Sequence, residues 1–377
     1  MFIPFNKPYL TGKEFFYIQE AASNGKLSGD GEFTKKCQAF FERKYGFRKT
    51  MLTTSCTDAL EMASILIDIK EGDEVIMPSY TFVSTANPFI LRGAKIVFVD
   101  SRKDNPGIDE SLIESLITNK TKAIVIVHYA GIACDMDAIT KITERHQLFL
   151  IEDAAQAIDS YYKNKPLGSF GHLAAFSFHE TKNIISGEGG MLVINDEQFL
   201  ERAEVIREKG TNRNKFFRGE VDKYNWVDIG SSFLPSEITA AFLWAQIESL
   251  EKIQQKRISL WNTYFSLLSP YKDFFFLPVV PEYATNNAHA FYLVCKNPES
   301  RNKLIDFLKA NKILSVFHYL SLHKSPFFAN KHDGRNLPES DRYSECLVRL
   351  PLYYELEESQ IEQQIVSSIT KFLSEEC

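Results

Sequence analysis

The chain has 377 residues, and 43 lysines and arginines against 49 aspartates and glutamates give it a formal net charge of −6. Charges of both signs are spread without long blocks, which argues against nucleic acid or a membrane surface as a partner and favours a small-molecule ligand. No apolar run approaches the roughly 20 residues that span a bilayer, and the N-terminus lacks a signal-peptide core, so we expect a cytoplasmic protein. Six scattered cysteines without a CxxC pair predict free thiols and no metal site.

Predicted strands and helices alternate along the first half of the chain. An amphipathic segment over residues 13–23, a turn-rich loop and a helix over residues 32–45 come first. Strands are then predicted at 50–54, 74–77, 94–100, 122–127, 148–153 and 191–194, and helices at 57–66, 85–91, 109–117, 135–146 and 197–207. Strand and helix in series predict an α/β fold, with a mainly parallel sheet between two layers of helices.

The last third of the sequence predicts a second, smaller domain. A long helix from Pro235 to about Trp261 leads into it. Its predicted elements are strands at 290–294 and 315–319 and helices at 299–310 and 357–373. Because a chain of this length exceeds what one core usually organises, we expect a large α/β domain over residues 1–255, N-terminal segment included, and a small α+β domain over residues 256–377.

The stretch over residues 150–191 carries the strongest chemical signal. One short apolar run ends in the carboxylate of Asp153, and a second run leads through Ser177 to Lys182 before a glycine-rich turn. Ligands of open α/β sheets bind beyond the carboxyl ends of the strands, so Asp153 and Lys182 can face one pocket. Pyridoxal 5′-phosphate (PLP) needs this pair, because a lysine holds its aldehyde as a Schiff base and an acid keeps its ring nitrogen protonated.

Two strand-to-helix junctions offer further ligands. Ser55 and Thr57 lie where a strand ends and a helix begins. This position suits a phosphate, because free N–H groups and the helix dipole meet there, but ordinary helix capping explains it as well. Phe82 follows the next strand and either lies flat against a planar ring or packs in the core.

Later polar stretches leave alternatives open. The basic run over residues 209–223 contains Arg213 and Arg218. It is either a solvated loop or a segment that closes over an anionic substrate such as a diphosphate. His318 and Tyr319 serve either substrate contact or packing, since no metal-ligand spacing surrounds them.

Motifs along nearly the whole chain resemble the sugar-nucleotide aminotransferases of PLP fold type I, the aspartate aminotransferase-like fold. The motifs that carry the resemblance are Pro4-Phe5-Asn6, Gly29-Asp30-Gly31, Pro78-Ser79-Tyr80-Thr81-Phe82, His128-Tyr129-Ala130-Gly131, Glu152-Asp153-Ala154-Ala155-Gln156, Phe178-His179-Glu180-Thr181-Lys182-Asn183 and Phe317-His318-Tyr319. The resemblance implies PLP as cofactor, pyridoxamine phosphate as its intermediate form, L-glutamate as amino donor and the dTDP-sugar dTDP-4-keto-6-deoxyglucose as acceptor. It also implies a homodimer with shared active sites.

The resemblance further assigns roles by position. Lys182 would bind the cofactor and move protons, Asp153 would pair with the ring nitrogen, and Gln156 would hydrogen-bond the ring hydroxyl. Phe82 would stack on the ring, and the phosphate ligands would be Ser55, Cys56, Thr57 and Ser177. Much of the wider family has asparagine in the place of Ser232, where it reaches the phosphate across the dimer interface, so Ser232 is expected to make a shorter or water-bridged contact. The expected substrate contacts are Tyr80, His179, Glu180, Arg213, Arg218, His318 and Tyr319.

Other classes of protein fit the residues less well. A nucleotide-sugar-binding protein without catalysis would not need both Lys182 and Asp153. The related sugar dehydratases carry histidine in the place of Lys182, and no G-x-G-x-x-G motif of an oxidoreductase follows the first strand. The configuration of the product at C4, galacto or gluco, stays open because the same catalytic residues serve both.

Overall fold

A computed structural model describes residues 2–376 of the chain. Its helices are α1 (Glu14–Ser23), α2 (Glu32–Tyr45), α3 (Cys56–Leu66), α4 (Asn87–Ile90), α5 (Glu110–Ile113), α6 (Met136–His146), α7 (Leu200–Arg207), α8 (Arg213–Phe217), α9 (Glu237–Ile247), α10 (Leu250–Leu268), α11 (Pro298–Ala310), α12 (Pro338–Cys346), α13 (Glu358–Gln360) and α14 (Ser367–Glu376). Its strands are β1 (Lys49–Thr53), β2 (Glu74–Pro78), β3 (Lys95–Val99), β4 (Thr121–Val127), β5 (Phe149–Asp153), β6 (Tyr161–Tyr162), β7 (Lys165–Pro166), β8 (Leu173–Ser177), β9 (Gly190–Ile194), β10 (Phe275–Phe276), β11 (Phe291–Cys295) and β12 (Leu347–Leu350).

Seven strands form the central sheet in the order β1-β9-β8-β5-β4-β2-β3. Strand β9 runs antiparallel to β1 and β8, whereas β8, β5, β4, β2 and β3 pair in parallel. Strands such as β4 are buried almost throughout, as expected for a sheet that helices cover on both faces. The predicted mainly parallel α/β architecture is confirmed, and the carboxyl ends of β1, β2, β4, β5 and β8 meet at one edge.

The glycine-rich loop before α2 is a structural junction. The buried carboxylate of Glu237 accepts hydrogen bonds from the backbone N–H groups of Gly31 (3.0 Å), Phe33 (2.8 Å) and Thr34 (3.1 Å). It therefore caps the N-terminus of α2, where the helix dipole favours negative charge. A Cβ at residue 31 would overlap the Glu237 side chain, so this close approach needs glycine.

A second hydrophobic core lies in the last third of the chain. Helix α10 contributes Leu260, Trp261 and Tyr264 to it, together with apolar residues of β11, β12 and the C-terminal helices. Ile3 packs in the same core and pairs with Ile313. The first turn of α10 packs instead in the core of the central sheet. The predicted domain boundary at residues 255 and 256 therefore lies within a helix that enters both cores, and it stays a prediction.

The helices predicted at 85–91 and 109–117 are shorter in the structure, as α4 and α5, and two other predicted elements differ more. The helix expected from Pro235 to about Trp261 is two helices, because α9 ends at Ile247 and α10 begins at Leu250. Helix α9 packs against α1 and α2, whereas α10 leads away into the second core. The strand expected at 315–319 is a single bridge between Val316 and Arg349, after which the chain turns into a loop.

Two further features of residues 2–376 bear on the environment of the protein. None of the helices in this range is long and apolar enough to cross a membrane. The thiols of Cys37, Cys56, Cys134, Cys295 and Cys346 are free. Cys377 lies outside the described residues.

Candidate active site

A cleft of about 810 Å³ lies at the edge where the parallel strands end. Loops after β1, β2, β5 and β8 line one side of it, and the loop after residue 316, with β12, lines the other. The predicted site residues that line the cleft are Ser55, Cys56, Thr57, Phe82, Asp153, Gln156, Ser177, His179, Lys182, His318 and Tyr319. Residues far apart in sequence thus converge because parallel strands bring their carboxyl ends together.

Asp153 ends strand β5 and is buried at the floor of the cleft. Its carboxylate accepts a hydrogen bond from the Thr85 hydroxyl (2.7 Å) and a second from the backbone N–H of Ala155 (3.2 Å). Burial raises the pKa of the Asp153 carboxyl above its usual value, although Thr85, Ala155 and Lys182 oppose the shift. A positively charged ring nitrogen beside this carboxylate would offset the energetic cost of burying its negative charge.

Lys182 lies in the turn between β8 and β9 and reaches the same cleft. Burial lowers the pKa of its amine, and the positive charge of Arg349 lowers it further, against the attraction of Cys56 and Asp153. Next along the chain, the Asn183 side chain donates hydrogen bonds to Gln254 (2.8 Å) and to the backbone oxygen of Asn287 (2.8 Å). The turn is therefore anchored, while the amine of Lys182 makes no hydrogen bond or ion pair within residues 2–376.

The N-terminus of α3 forms one end of the cleft. Ser55 caps this helix by accepting a hydrogen bond from the Asp58 N–H (3.0 Å), so the capping role considered for Ser55 is real. The first N–H groups of the helix, those of Cys56 and Thr57, have no partner within the helix. The Thr57 hydroxyl donates to Ser84 (2.9 Å), which adds a second hydroxyl to this end.

Gly190 brings strand β9 close to the same helix terminus. A Cβ at this position would overlap the backbone of Ser55 and Cys56. The strand pairs here with Ser177, which also lines the cleft. Only glycine therefore allows the backbone of β9 to support this end of the cleft so closely.

Aromatic residues form the walls. Phe82 is 54% exposed although it is a large apolar side chain, and it lies 6.0 Å from the Tyr319 ring, centre to centre. The Tyr319 hydroxyl accepts a hydrogen bond from the Gln156 side-chain amide (2.8 Å). His318 stacks on Tyr319 and shares a hydrogen bond with the Tyr129 hydroxyl (2.6 Å). A flat ligand therefore has an exposed aromatic face and a network of polar side chains beside it.

Five predicted contacts do not line the cleft of their own chain. Tyr80 is only 1% exposed, because it is packed behind Tyr129 and Tyr319. The others lie on exposed segments outside the cleft, where two of them already form ion pairs: Glu180, Ser232, Arg213 with Glu208, and Arg218 with Glu204 and Glu220.

Several residues belong to the site although the sequence analysis gave them no role. Thr85 is one of several hydroxyl residues that follow β2, so only the structure identifies it as the donor to Asp153. Asn6, which belongs to a motif that carries the resemblance, donates to the backbone oxygen of Glu180 (3.2 Å) and lines the cleft. His289 shares a hydrogen bond with Asn183 (2.9 Å). Arg349 resembles any isolated arginine in a strand, and no sequence signal marks it.

The residues of the cleft fit PLP. The unpaired amine of Lys182 matches its aldehyde, and the buried carboxylate of Asp153 matches its ring nitrogen. The exposed aromatic face of Phe82 matches its ring. The free N–H groups at the start of α3 match its phosphate. These groups line one cleft.

Comparisons with known proteins agree with this fit. The model of the DegT/DnrJ/EryC1/StrS aminotransferase family matches residues 8–370. The chain is 31% identical over 356 residues to the uncharacterised protein MJ1066 of Methanocaldococcus jannaschii, covering 92% of this chain and 91% of that protein.

Solved structures share the fold. DesV of S. venezuelae, solved with an intermediate bound, is 28% identical with a TM-score of 0.90, and 98% of each chain is covered. Spr1654 of Streptococcus pneumoniae, solved in its PLP form, is 24% identical with a TM-score of 0.91 over 100% of this chain and 99% of that one. The expected PLP fold type I is confirmed, and the chain belongs to the DegT/DnrJ/EryC1/StrS family as a PLP-dependent sugar aminotransferase.

Proposed function

We propose that the enzyme moves an amino group from L-glutamate to C4 of dTDP-4-keto-6-deoxy-D-glucose and forms dTDP-4-amino-4,6-dideoxy-D-galactose. The convergence of Lys182 and Asp153 on one cleft carries the transaminase chemistry. The choice of sugar is supported by the motifs named above, in which the chain most resembles dTDP-4-amino-4,6-dideoxygalactose transaminase. The gluco epimer is the alternative product.

Lys182 and Asp153 divide the catalytic work. PLP, when bound, supplies a carbonyl carbon that condenses with amines and a ring that accepts the electron pair of a deprotonated carbon. The Lys182 amine, whose pKa burial lowers, binds the cofactor and then takes and returns the proton at the reacting carbon. The Asp153 carboxylate holds a proton on the ring nitrogen, and Thr85 orients that carboxylate.

The other cleft residues bind and orient. The proposed phosphate ligands are Ser55, Cys56, Thr57 and Ser177, around the start of α3. Phe82 stacks on the ring, and Gln156 hydrogen-bonds the ring hydroxyl with the N–H that it does not donate to Tyr319. His179, His318 and Tyr319 contact the sugar nucleotide from the cleft walls.

We infer a homodimer in which each subunit completes the site of its partner. Exposed apolar residues surround the basic run, notably Trp226 at 82% and Phe217 at 66% exposure. Four of the predicted contacts lie outside the cleft of their own chain and can bind substrate only in the cleft of a partner subunit. They are Glu180, Ser232, Arg213 and Arg218. Tyr80 supports Tyr319 from behind. A mixture of Lys182→Ala subunits with Arg213→Ala/Arg218→Ala subunits should then regain activity, whereas inactive mixed dimers would contradict shared sites. The free thiols agree with a cytoplasmic location.

Three experiments test the proposed reaction. Borohydride should fix PLP to the peptide that contains Lys182, and Lys182→Ala should bind pyridoxamine phosphate without completing turnover; label on another lysine would refute the assignment. NMR of the product formed from dTDP-4-keto-6-deoxyglucose then decides the epimer. Small couplings of H4 to H3 and H5 are expected for the galacto sugar, and large couplings would establish the gluco sugar instead.

A further inference from the structure

Arg349 is a positively charged residue that lines the cleft, and the proposed reaction assigns it no role. It lies in strand β12, held by backbone pairing with Tyr292 and by two backbone hydrogen bonds to Val316 (2.8 and 3.2 Å). Its guanidinium lies over the Phe5 ring, 4.6 Å from the ring centre, and its side chain lines the cleft. Strand and aromatic ring therefore fix where this positive charge lies.

The guanidinium of Arg349 has no partner among residues 2–376. It forms no ion pair or hydrogen bond there, and its Nε is fully shielded from solvent. Two arginines that are buried show the usual arrangement: Arg257 donates to the backbone oxygens of Ala288 (3.1 Å) and His289 (2.8 Å), and Arg207 pairs with a carboxylate. The Nε of Arg349 is thus shielded and unpaired while the side chain faces the cleft, and an anion bound in the cleft would stabilise this guanidinium.

The surroundings of Arg349 indicate where such an anion would bind. Arg349 lines the same cleft as Lys182, His289 and His318, so it lies on the same side of the molecule as the reacting amine. Burial lowers the pKa of these three groups, and the positive charge of Arg349 lowers it further. Asp153 and Glu188 are the acidic residues that line the cleft, and neither pairs with Arg349. A ligand that carries a carboxylate next to its reacting nitrogen would complete this arrangement.

We propose that Arg349 binds the α-carboxylate of the amino donor with a forked, charge-assisted pair of hydrogen bonds. This inference rests on the proposed function, because it requires an α-amino acid as donor. In such a donor the carboxylate is one bond from the reacting carbon. In the sugar nucleotide the diphosphate is on C1, across the ring from C4, so the two substrates place their negative charges at different distances from Lys182. Arg349 is thus a residue of the donor half-reaction.

The test separates the two half-reactions by single-turnover absorbance of the holoenzyme. Arg349→Gln should slow the reaction of the PLP form with L-glutamate roughly 10- to 150-fold, with less than about 3-fold change in the reaction of the pyridoxamine form with the keto sugar. Arg349→Lys should recover part of the loss, because it keeps the charge without the fork. Equal slowing of both half-reactions would overturn the proposal.

Three donors identify the carboxylate. L-Alanine keeps the α-carboxylate, so Arg349→Gln should slow the reaction with L-alanine as much as the reaction with L-glutamate. 4-Aminobutyrate lacks that group, so its reaction should slow less than about 3-fold. The reverse order would assign Arg349 to the distal carboxylate and refute the proposal. Arg145→Gln, an exposed arginine outside the cleft paired with Glu114, is the matched control. If the wild-type enzyme reacts with none of the three, the proposed function fails rather than this inference.

Discussion

Two buried carboxylates stand side by side in strand β5 and differ in almost every other respect. Glu152 points away from the cleft, where its carboxylate accepts hydrogen bonds from His128 (3.0 Å) and from three backbone N–H groups, those of Gly168 (2.7 Å), Phe170 (2.7 Å) and Gly171 (2.6 Å). Asp153, on the opposite face, receives only two donors. Successive residues of a strand face opposite sides, so the same strand places one acid in the fold and one in the site.

Because the two carboxylates accept different numbers of hydrogen bonds, their pKa values shift in opposite directions. Burial disfavours the charged form of both acids, but His128 and the backbone N–H groups outweigh burial at Glu152 and lower its pKa. At Asp153 burial prevails and raises the pKa. A fully hydrogen-bonded carboxylate stabilises the fold by itself, whereas a partly satisfied carboxylate is completed by a ligand. The predictions below test this contrast.

The largest effect is expected for Glu152→Gln. The change leaves His128 and the three N–H groups with a neutral, partly mismatched partner, and breaking a buried pair in this way lowers the free energy of unfolding by about 3–5 kcal/mol. Chemical unfolding monitored by circular dichroism measures it, with the exposed Glu144→Gln on α6 as control. A stability equal to that of the control would mean that the hydrogen bonds of Glu152 are not needed.

Asp153→Asn should instead affect catalysis. Without the carboxylate the ring nitrogen loses its charged partner, and we expect both half-reactions to slow roughly 10²- to 10³-fold, as for other lost electrostatic contacts in an active site. The PLP-free variant should be at least as stable as the wild type, since a penalised charge is removed. Single-turnover rates and melting temperatures together decide; normal rates with reduced stability would make Asp153 a structural residue like Glu152.

A smaller effect should appear in the pH dependence of stability of the PLP-free protein. The pKa of Glu152 is lower in the folded protein than in the unfolded chain, where it is about 4.3. Glu152 therefore stabilises the fold at every pH above about 4.3, and this stabilisation is lost only as the pH falls through the folded-state pKa. The raised pKa of Asp153 acts oppositely, because the folded state takes up its proton first as pH falls. Between pH 7 and about 4.3 the stability gap between wild type and Asp153→Asn should narrow. The gap to Glu152→Gln should widen, because, against the effect of burial, hydrogen bonds with Cys134 and Glu152 raise the pKa of the buried His128 to about 9, and the variant removes its charged partner. Parallel gaps would contradict the opposite shifts.

The part of the site made by parallel strand ends was predictable from the sequence. Asp153 and Lys182 each follow an apolar run, and parallel strands must end at one edge, so their convergence follows from the pattern. The break between α9 and α10 was not predictable, because residues 247–250 contain no proline or glycine and the apolar pattern continues through them.

The conformation of one loop and the roles of two residues escaped prediction for a related reason. The loop that carries His318 and Tyr319 leaves the sheet after a single bridge at Val316, although its residues favour a strand. Thr85 and Arg349 gain their roles only from the tertiary fold, which brings one hydroxyl to Asp153 and one guanidinium into the cleft.

The smallest effect concerns the donor that distinguishes Asp153 from an ordinary buried acid. Thr85 donates to Asp153 and shares a second hydrogen bond with Thr81 (2.7 Å), so it fixes the orientation of the carboxylate that would pair with the ring nitrogen. Thr85→Val keeps the shape of the side chain and removes one hydrogen bond to a carboxylate, which is worth about 1.5–3 kcal/mol. Because the charge of Asp153 remains, both half-reactions should lose only part of this and slow roughly 2- to 10-fold. Thr85→Ser keeps the hydroxyl and should react at nearly the wild-type rate, which separates the hydrogen bond from packing. In Asp153→Asn protein the added Thr85→Val change should have almost no further effect, because the oriented charge is already absent. Equal slowing in both backgrounds would show that Thr85 acts on the site by another route than Asp153.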